Sequence, residues 1–249
     1  MVVGAGFELE FVDADGTIVR GPLCRHWNHR FEQAPAVRNF PLFKGQRNNP
    51  GARWSASSGH LVGFESWLER DNAILLDYDP HVVAYSSQPF RLHWRPHYSG
   101  SEPLKARHHT PDYFARLDDG RGLVVDVRAD DRIKPEDAQA FEATESACAE
   151  VGWLFRRVGV PGRTLLENVR WLSGYRRPRC LEPAFAEAAM KVFAAPGALF
   201  QTAEEIGDRR RVLPTLYHLM WHHVLLVADL DSQLLCATSL VRVGDRPWP

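Results

Sequence analysis

The sequence predicts an α/β protein, a mixed sheet flanked by helices, with a smaller helical domain behind it that ends in a hairpin. Three observations predict this. Apolar runs of strand length lie between turn signals from 82 to 128, helical spacing brackets them at 66–78 and 135–150, and after 178 the order becomes helices followed by two apolar strands. At 249 residues the chain accommodates a first domain over 1–177 and a second over 178–249.

The elements follow in order. Phe7 to Val12 and Thr17 to Arg20 flank Asp13-Ala14-Asp15-Gly16 and read as a hairpin. From 21 to 63 the chain is rich in Pro, Asn, Gly, Ser and Arg, with Trp27, Phe31, Phe40, Phe43 and Trp54 interspersed, and reads as an extended basic arm. A helix over 66–78 has Leu68, Leu75 and Leu76 as apolar anchors, with Glu65, Glu69 and Asn72 on another face. Strands are expected at Val82 to Tyr85, Phe90 to Trp94, Thr110 to Leu117 and Leu123 to Arg128, the last two forming a hairpin across Asp118-Asp119-Gly120. Pro135 opens a helix to about Glu150, and Trp153 to Val158 closes the unit as a strand. A further helix runs from about Thr164 to Leu172. Beyond it come a helix over Pro183 to Ala194, a short one opened by a capping box at Thr202 to Glu205, a turn at Arg209, Arg210 and Arg211, and a long helix from near Pro214. Strands at Val224 to Ala228 and Leu234 to Leu240 complete a winged-helix order.

Hydrophobic residues at 45% and charged residues at 24% exclude a disordered or fibrous chain. No apolar run reaches the roughly 18 to 20 residues of a membrane span, and 1–11 lacks a leader pattern, so a cytoplasmic protein with no membrane partner is expected. Cys24, Cys148, Cys180 and Cys236 form no close pair and are expected to be reduced core residues. Net charge is −1, but it is unevenly spread: 21–60 carries six bases against Glu32, 151–180 seven arginines against Glu167, and 121–150 eight acids against four bases. Basic surfaces flanking an acidic, cation-binding centre suit a polyanionic ligand, although clustering in an Arg-rich chain gives the same pattern.

Phosphodiester hydrolysis requires carboxylates that hold a divalent cation against the scissile phosphate. Asp112 follows Pro111 in one strand, and Asp126 interrupts the apolar run Leu123 to Val127, where a charge needs a partner or a cation. Hairpin arithmetic sets a condition. A three-residue loop with Leu117 opposite Arg121 puts Asp112 opposite Asp126, both carboxylates on one face, with Arg128 two residues along; a two-residue turn puts them on opposite faces.

Phe64-Glu65-Ser66-Trp67-Leu68-Glu69-Arg70-Asp71, Leu75-Leu76-Asp77-Tyr78-Asp79-Pro80, Val82-Val83-Ala84-Tyr85 and Gln88-Pro89-Phe90 run in order ahead of Thr110-Pro111-Asp112-Tyr113-Phe114 and Val124-Val125-Asp126-Val127-Arg128. Together these resemble the TnsA-like endonuclease subunits of heteromeric transposases, over about 60–160. The resemblance implies a restriction-endonuclease-like fold whose Mg²⁺ (or substituting Mn²⁺) is held by Glu69, Asp112 and Asp126, with Arg128 where the family has a catalytic lysine. It further implies double-stranded DNA as substrate, nicked at transposon ends, a DDE-type transposase subunit as partner and an ATP-dependent transposition regulator.

Arg128 departs from that pattern: guanidinium offers charge and a fork but stays protonated, so it cannot join in proton traffic as lysine does. Lys134 is an alternative cation, and Glu65 a second-choice helix acid. Plainer roles stand beside these. Glu69 fits a capping box with Ser66, Asp112 an edge-strand acid, and Asp126 a structural ion pair. His108-His109 read as surface histidines and His222-His223 as solvated. Arg209, Arg210 and Arg211 would hold a DNA backbone or a protein partner. A restriction or phage-defence nuclease of the same fold, and an inactive DNA-binding assembly subunit, are the competing readings.

Overall fold

The structure, a computed structural model, describes residues 6–38, 49–95 and 106–245, so Phe40, Phe43, Lys44 and Arg47 of the expected arm lie outside the described residues. It is an α/β protein of two compact units, divided after Val160. The division falls earlier than the expected 177/178, because the helix that follows Val160 belongs with the second unit.

In the first unit, β1 (Glu8–Val12) and β2 (Ile18–Pro22) form the expected hairpin, and α1 (Leu23–His26) follows. The expected arm is largely built into the fold. Its β3 (Gly51–Trp54) and β4 (Leu61–Phe64) pair as a hairpin, and Phe31 is fully buried against Phe11, Phe90, Phe114 and Trp153. Next come α2 (Trp67–Tyr78), β5 (Val82–Ser87), β6 (Phe90–Trp94), β7 (Arg107–His109), β8 (Tyr113–Leu117), β9 (Gly122–Val127), α3 (Pro135–Val151) and β10 (Leu154–Val158).

Two four-stranded sheets result. One has the order β10-β9-β8-β5, parallel between β9 and β10 and otherwise antiparallel; the other has the order β2-β1-β6-β7. Strand alternation gives the first sheet two apolar faces. Tyr113, Ala115, Leu123, Val125 and Val127 meet Ala73 and Leu76 of α2, while Phe114 and Val124 meet Ala143, Ala147 and Cys148 of α3 and the inner residues of the second sheet. Burying one such side chain stabilises by about 1.5–3 kcal/mol, so β9, buried along its whole length, is the spine of this unit.

The second unit contains α4 (Arg163–Ser173), α5 (Pro183–Val192), β11 (Gly197–Ala198), α6 (Leu199–Ile206), α7 (Arg209–Trp221), β12 (Leu225–Val227) and β13 (Leu240–Val243), with sheet order β11-β13-β12. Three expectations change here. Thr202 is inside α6 and buried, not at a cap. The arginine run is the first turn of α7, started by the Asp208 carboxylate accepting the Arg210 N–H at 2.9 Å, and Pro214 lies within that helix. The stretch expected as strand 234–240 is mostly loop, fixed by buried Asn168, which donates to the carbonyls of Leu230 and Gln233 and accepts the Leu235 N–H. Helix α7 is the centre of the unit, surrounded by α4, α5, α6 and β12 and buried without a break from Thr215 to Trp221. Past its exposed first turn, a helix so covered presents no face to a DNA groove. Of the cysteines only Cys148 is a core residue; Cys24 and Cys236 are exposed. Among the described residues no helix is long and apolar enough to cross a membrane.

Candidate active site

The site is assembled where β8 starts, β9 ends and α2 begins. The β8–β9 hairpin closes through a three-residue loop: the Leu117 N–H donates to the Arg121 carbonyl at 2.9 Å, and Gly120 takes a φ of +85° that favours glycine. Tyr113 pairs with Val125, which extends to Asp112 opposite Asp126, the register the carboxylate site requires.

Asp112 is not mid-strand, however. Its register neighbour Pro111 has no N–H and the ladder stops at Tyr113. The Asp112 carbonyl instead accepts the Gln88 N–H at 2.9 Å, and its carboxylate accepts the Val127 N–H at 2.7 Å, so it binds the strand end rather than standing upright on the sheet. Burial pushes the Asp112 carboxyl well above its usual range, and the nearby charges of Asp126 and Glu69 push it further; the Val127 N–H and Arg128 only partly offset this.

Asp126, 2% exposed, follows Val124 by two residues and shares its face toward α3. Both of its oxygens are met by His109, whose Nε2 lies 2.9 and 3.0 Å away, so this nitrogen carries the hydrogen. His109 was expected at the surface. Adjacent His108 and His109 do point opposite ways, but no local pattern announces that β7, at the edge of the second sheet, lies against the end of β9; with that, His109 is the one that points inward.

Glu69 both caps and faces the site. The Ser66 hydroxyl accepts the Glu69 N–H at 3.2 Å and donates to its carboxylate at 2.8 Å, and the Glu65 N–H donates to the same carboxylate at 2.7 Å. Burial raises the Glu69 carboxyl; those two bonds and Arg38 oppose the rise, while Glu65 adds to it. Arg38, at the described end of the basic arm, donates to Glu65 at 2.8 Å and to the Gln88 side chain at 2.9 Å. Sequence reasoning missed this link. Arg128 is half-exposed and lies 3.5 Å from Asp137, while Lys134 contributes its backbone N–H to Asp137. Neither Arg128 nor Lys134 is thus bonded to the three acids.

The donor set fits a hard divalent cation in its chemistry: carboxylate oxygens only, and a mutual repulsion at Asp112 that a cation would relieve. Among the described residues no group of three or more His, Cys, Asp or Glu is placed to hold a metal ion; Glu69 is held in its cap and Asp126 by His109.

Two of the three arginines of α7 are engaged locally. Arg209 pairs with Glu204 at 2.8 Å and lies over the Phe200 ring at 4.6 Å, and Arg211 lies 5.9 Å from the Phe185 ring. All three are exposed.

Comparison of this chain with protein-family models gives no match, and comparison with curated proteins gives none either.

Proposed function

We propose that this chain is a divalent-metal-dependent DNA endonuclease subunit of a heteromeric transposase, with a restriction-endonuclease-like first unit that cuts one strand at transposon ends. The observation that carries the reading is that the β8–β9 register, continued one residue past its last pair, brings Asp112 opposite Asp126, with the charges of Asp126 and Glu69 near enough to disfavour proton loss from Asp112. Buried acids that destabilise one another are poor structure and suitable cation ligands.

Asp112, Asp126 and Glu69 would hold Mg²⁺ or Mn²⁺, which when bound supplies Lewis acidity at the phosphate and lowers the pKa of water. Arg128, on a solvent-facing strand end, offers fixed positive charge to the phosphate but, staying protonated, no acid–base role. In the second unit, helix, strand, helix, helix and two strands with sheet order β11-β13-β12 support a winged-helix relation. DNA or partner contact there would use the exposed first turn of α7, Arg209 to Arg211, since the rest of that helix is buried. The transposase subunit and an ATP-dependent regulator complete the proposed assembly, in the cytoplasm.

The test is nicking of supercoiled DNA bearing transposon ends, with Mg²⁺ or Mn²⁺ and the partner transposase. Asp112→Ala is expected to abolish it. Intact DNA with wild-type protein, partner and Mn²⁺ together overturns the nuclease reading. One observation favours a second reading, an assembly subunit that binds DNA without cutting: the only cation in the triplet is a guanidinium shared with Asp137.

A further inference from the structure

We infer that His109 is the internal place-holder for the cation at Asp126, its imidazole N–H occupying the edge between the two carboxylate oxygens, and that a divalent ion binds Asp126 in exchange for it. The inference rests on the metal-nuclease reading and names how its site is kept in the metal-free protein.

The geometry is specific. A single Nε2 is 2.9 Å from one Asp126 oxygen and 3.0 Å from the other, so it lies astride the carboxylate instead of on one lone pair. That is the side from which a cation takes both oxygens. The pair is shielded, with the histidine side chain 20% exposed and the aspartate 3%, so an Asp126 without His109 would be a buried charge without its partner.

The three carboxylates differ in what releasing them costs. Freeing Glu69 breaks the bonds that start α2, and moving Asp112 abandons the Val127 N–H. Freeing Asp126 requires one side chain to swing, on a strand of another sheet: β7 pairs with β6 and is the last strand of its sheet, so no hydrogen bond between β8, β9 and β10 is touched. The His109 ring meets Phe141 edge-on at 6.2 Å, an apolar contact that does not fix its rotation.

The experiment is Mn²⁺ titration by calorimetry together with metal-induced thermal shift, on wild-type protein, His109→Ala and His109→Gln. His109→Ala is expected to bind Mn²⁺ about tenfold more tightly, roughly the worth of one charge-assisted hydrogen bond, and to show the larger thermal shift. His109→Gln, whose amide holds a single oxygen, is expected between the two, and it decides alone if the alanine variant does not fold. A residue that merely supports structure would leave affinity unchanged or weaken it, and either result overturns the inference. Absence of Mn²⁺ binding in every protein overturns the metal reading and the inference with it, whereas equal binding in all overturns the inference alone.

Discussion

Helix α2 has a carboxylate near each end, and the surroundings of the two differ in kind. At the C-terminal end Asp77, its side chain wholly buried, accepts from the Ser55 hydroxyl at 2.7 Å, the Ser57 N–H and hydroxyl at 3.0 Å each, the Ala56 N–H at 3.1 Å and Arg53 at 3.2 Å. At the N-terminal end Glu69 faces Asp112, which has the Val127 N–H as donor and two acids as neighbours. Asp77 fastens the loop between β3 and β4 to α2, and its charge is compensated several times over. The Asp112 region holds negative charge in excess, an arrangement that suits a ligand better than a fold.

The largest effect that would sharpen this contrast is on activity. Asp112→Ala is expected to reduce nicking by about a thousandfold or more, the scale of losing a group that holds the catalytic charge. A variant that still cuts at a tenth of the wild-type rate breaks the contrast. Next is stability at the other end: Asp77→Ala should cost about 3–5 kcal/mol in urea unfolding, because it leaves Arg53 and several buried donors unpaired. A loss below about 1 kcal/mol would make Asp77 an ordinary surface-like acid.

Asp112→Asn should do the reverse, stabilising by about 1 kcal/mol near neutral pH, since an amide still accepts the Val127 N–H without the repulsion. The pH dependence follows in sign. The folded carboxyl titrates above its ordinary value of 3.8, so the folded state holds the proton longer than the unfolded chain does. Stability is therefore lost as pH rises from about the ordinary value through the raised one. The asparagine variant lacks this slope, and Mn²⁺ should diminish it in the wild type. Equal urea midpoints for both proteins from pH 4 to 8 would refute the repulsion. The smallest effect is in the second unit: Arg210→Ala should lower the salt slope of DNA binding by about one if that turn touches phosphate, and leave it unchanged if it docks protein.

What the sequence made legible was what neighbouring residues decide. Asp118-Asp119-Gly120 marked the β8–β9 turn while leaving two registers open, Ser66 and Glu69 marked the start of α2, and Pro135 marked the start of α3. What it hid depended on distant partners. The composition of 21–63 reads as an arm because the aromatic pocket that receives Phe31 is built from Phe90, Phe114 and Trp153. His109 was set aside because alternation says which way a residue points along its strand, not what lies there. The run Arg209 to Arg211 reads as a turn by its charge, although Asp208 just before it is a good helix cap and the available signal. The burial of α7 arises from α4, α5, α6 and β12 together, with Trp171 of α4 meeting Tyr217 edge-on at 6.0 Å, and no local pattern announces that packing.

Gln88 joins several of these threads. Two residues, Gln88 and Pro89, carry the chain from β5 in one sheet to β6 in the other, with Gln88 at a φ of +49°. Its N–H holds the Asp112 carbonyl, its own carbonyl accepts the Val37 N–H, and its side chain accepts from Arg38. Loop tips ordinarily accept added residues with little harm. This connection is the opposite: one inserted residue would pull apart the bonds by which Gln88 holds Asp112, Val37 and Arg38 together. The shortest crossover in the first unit is thus also where the length of the chain is least negotiable.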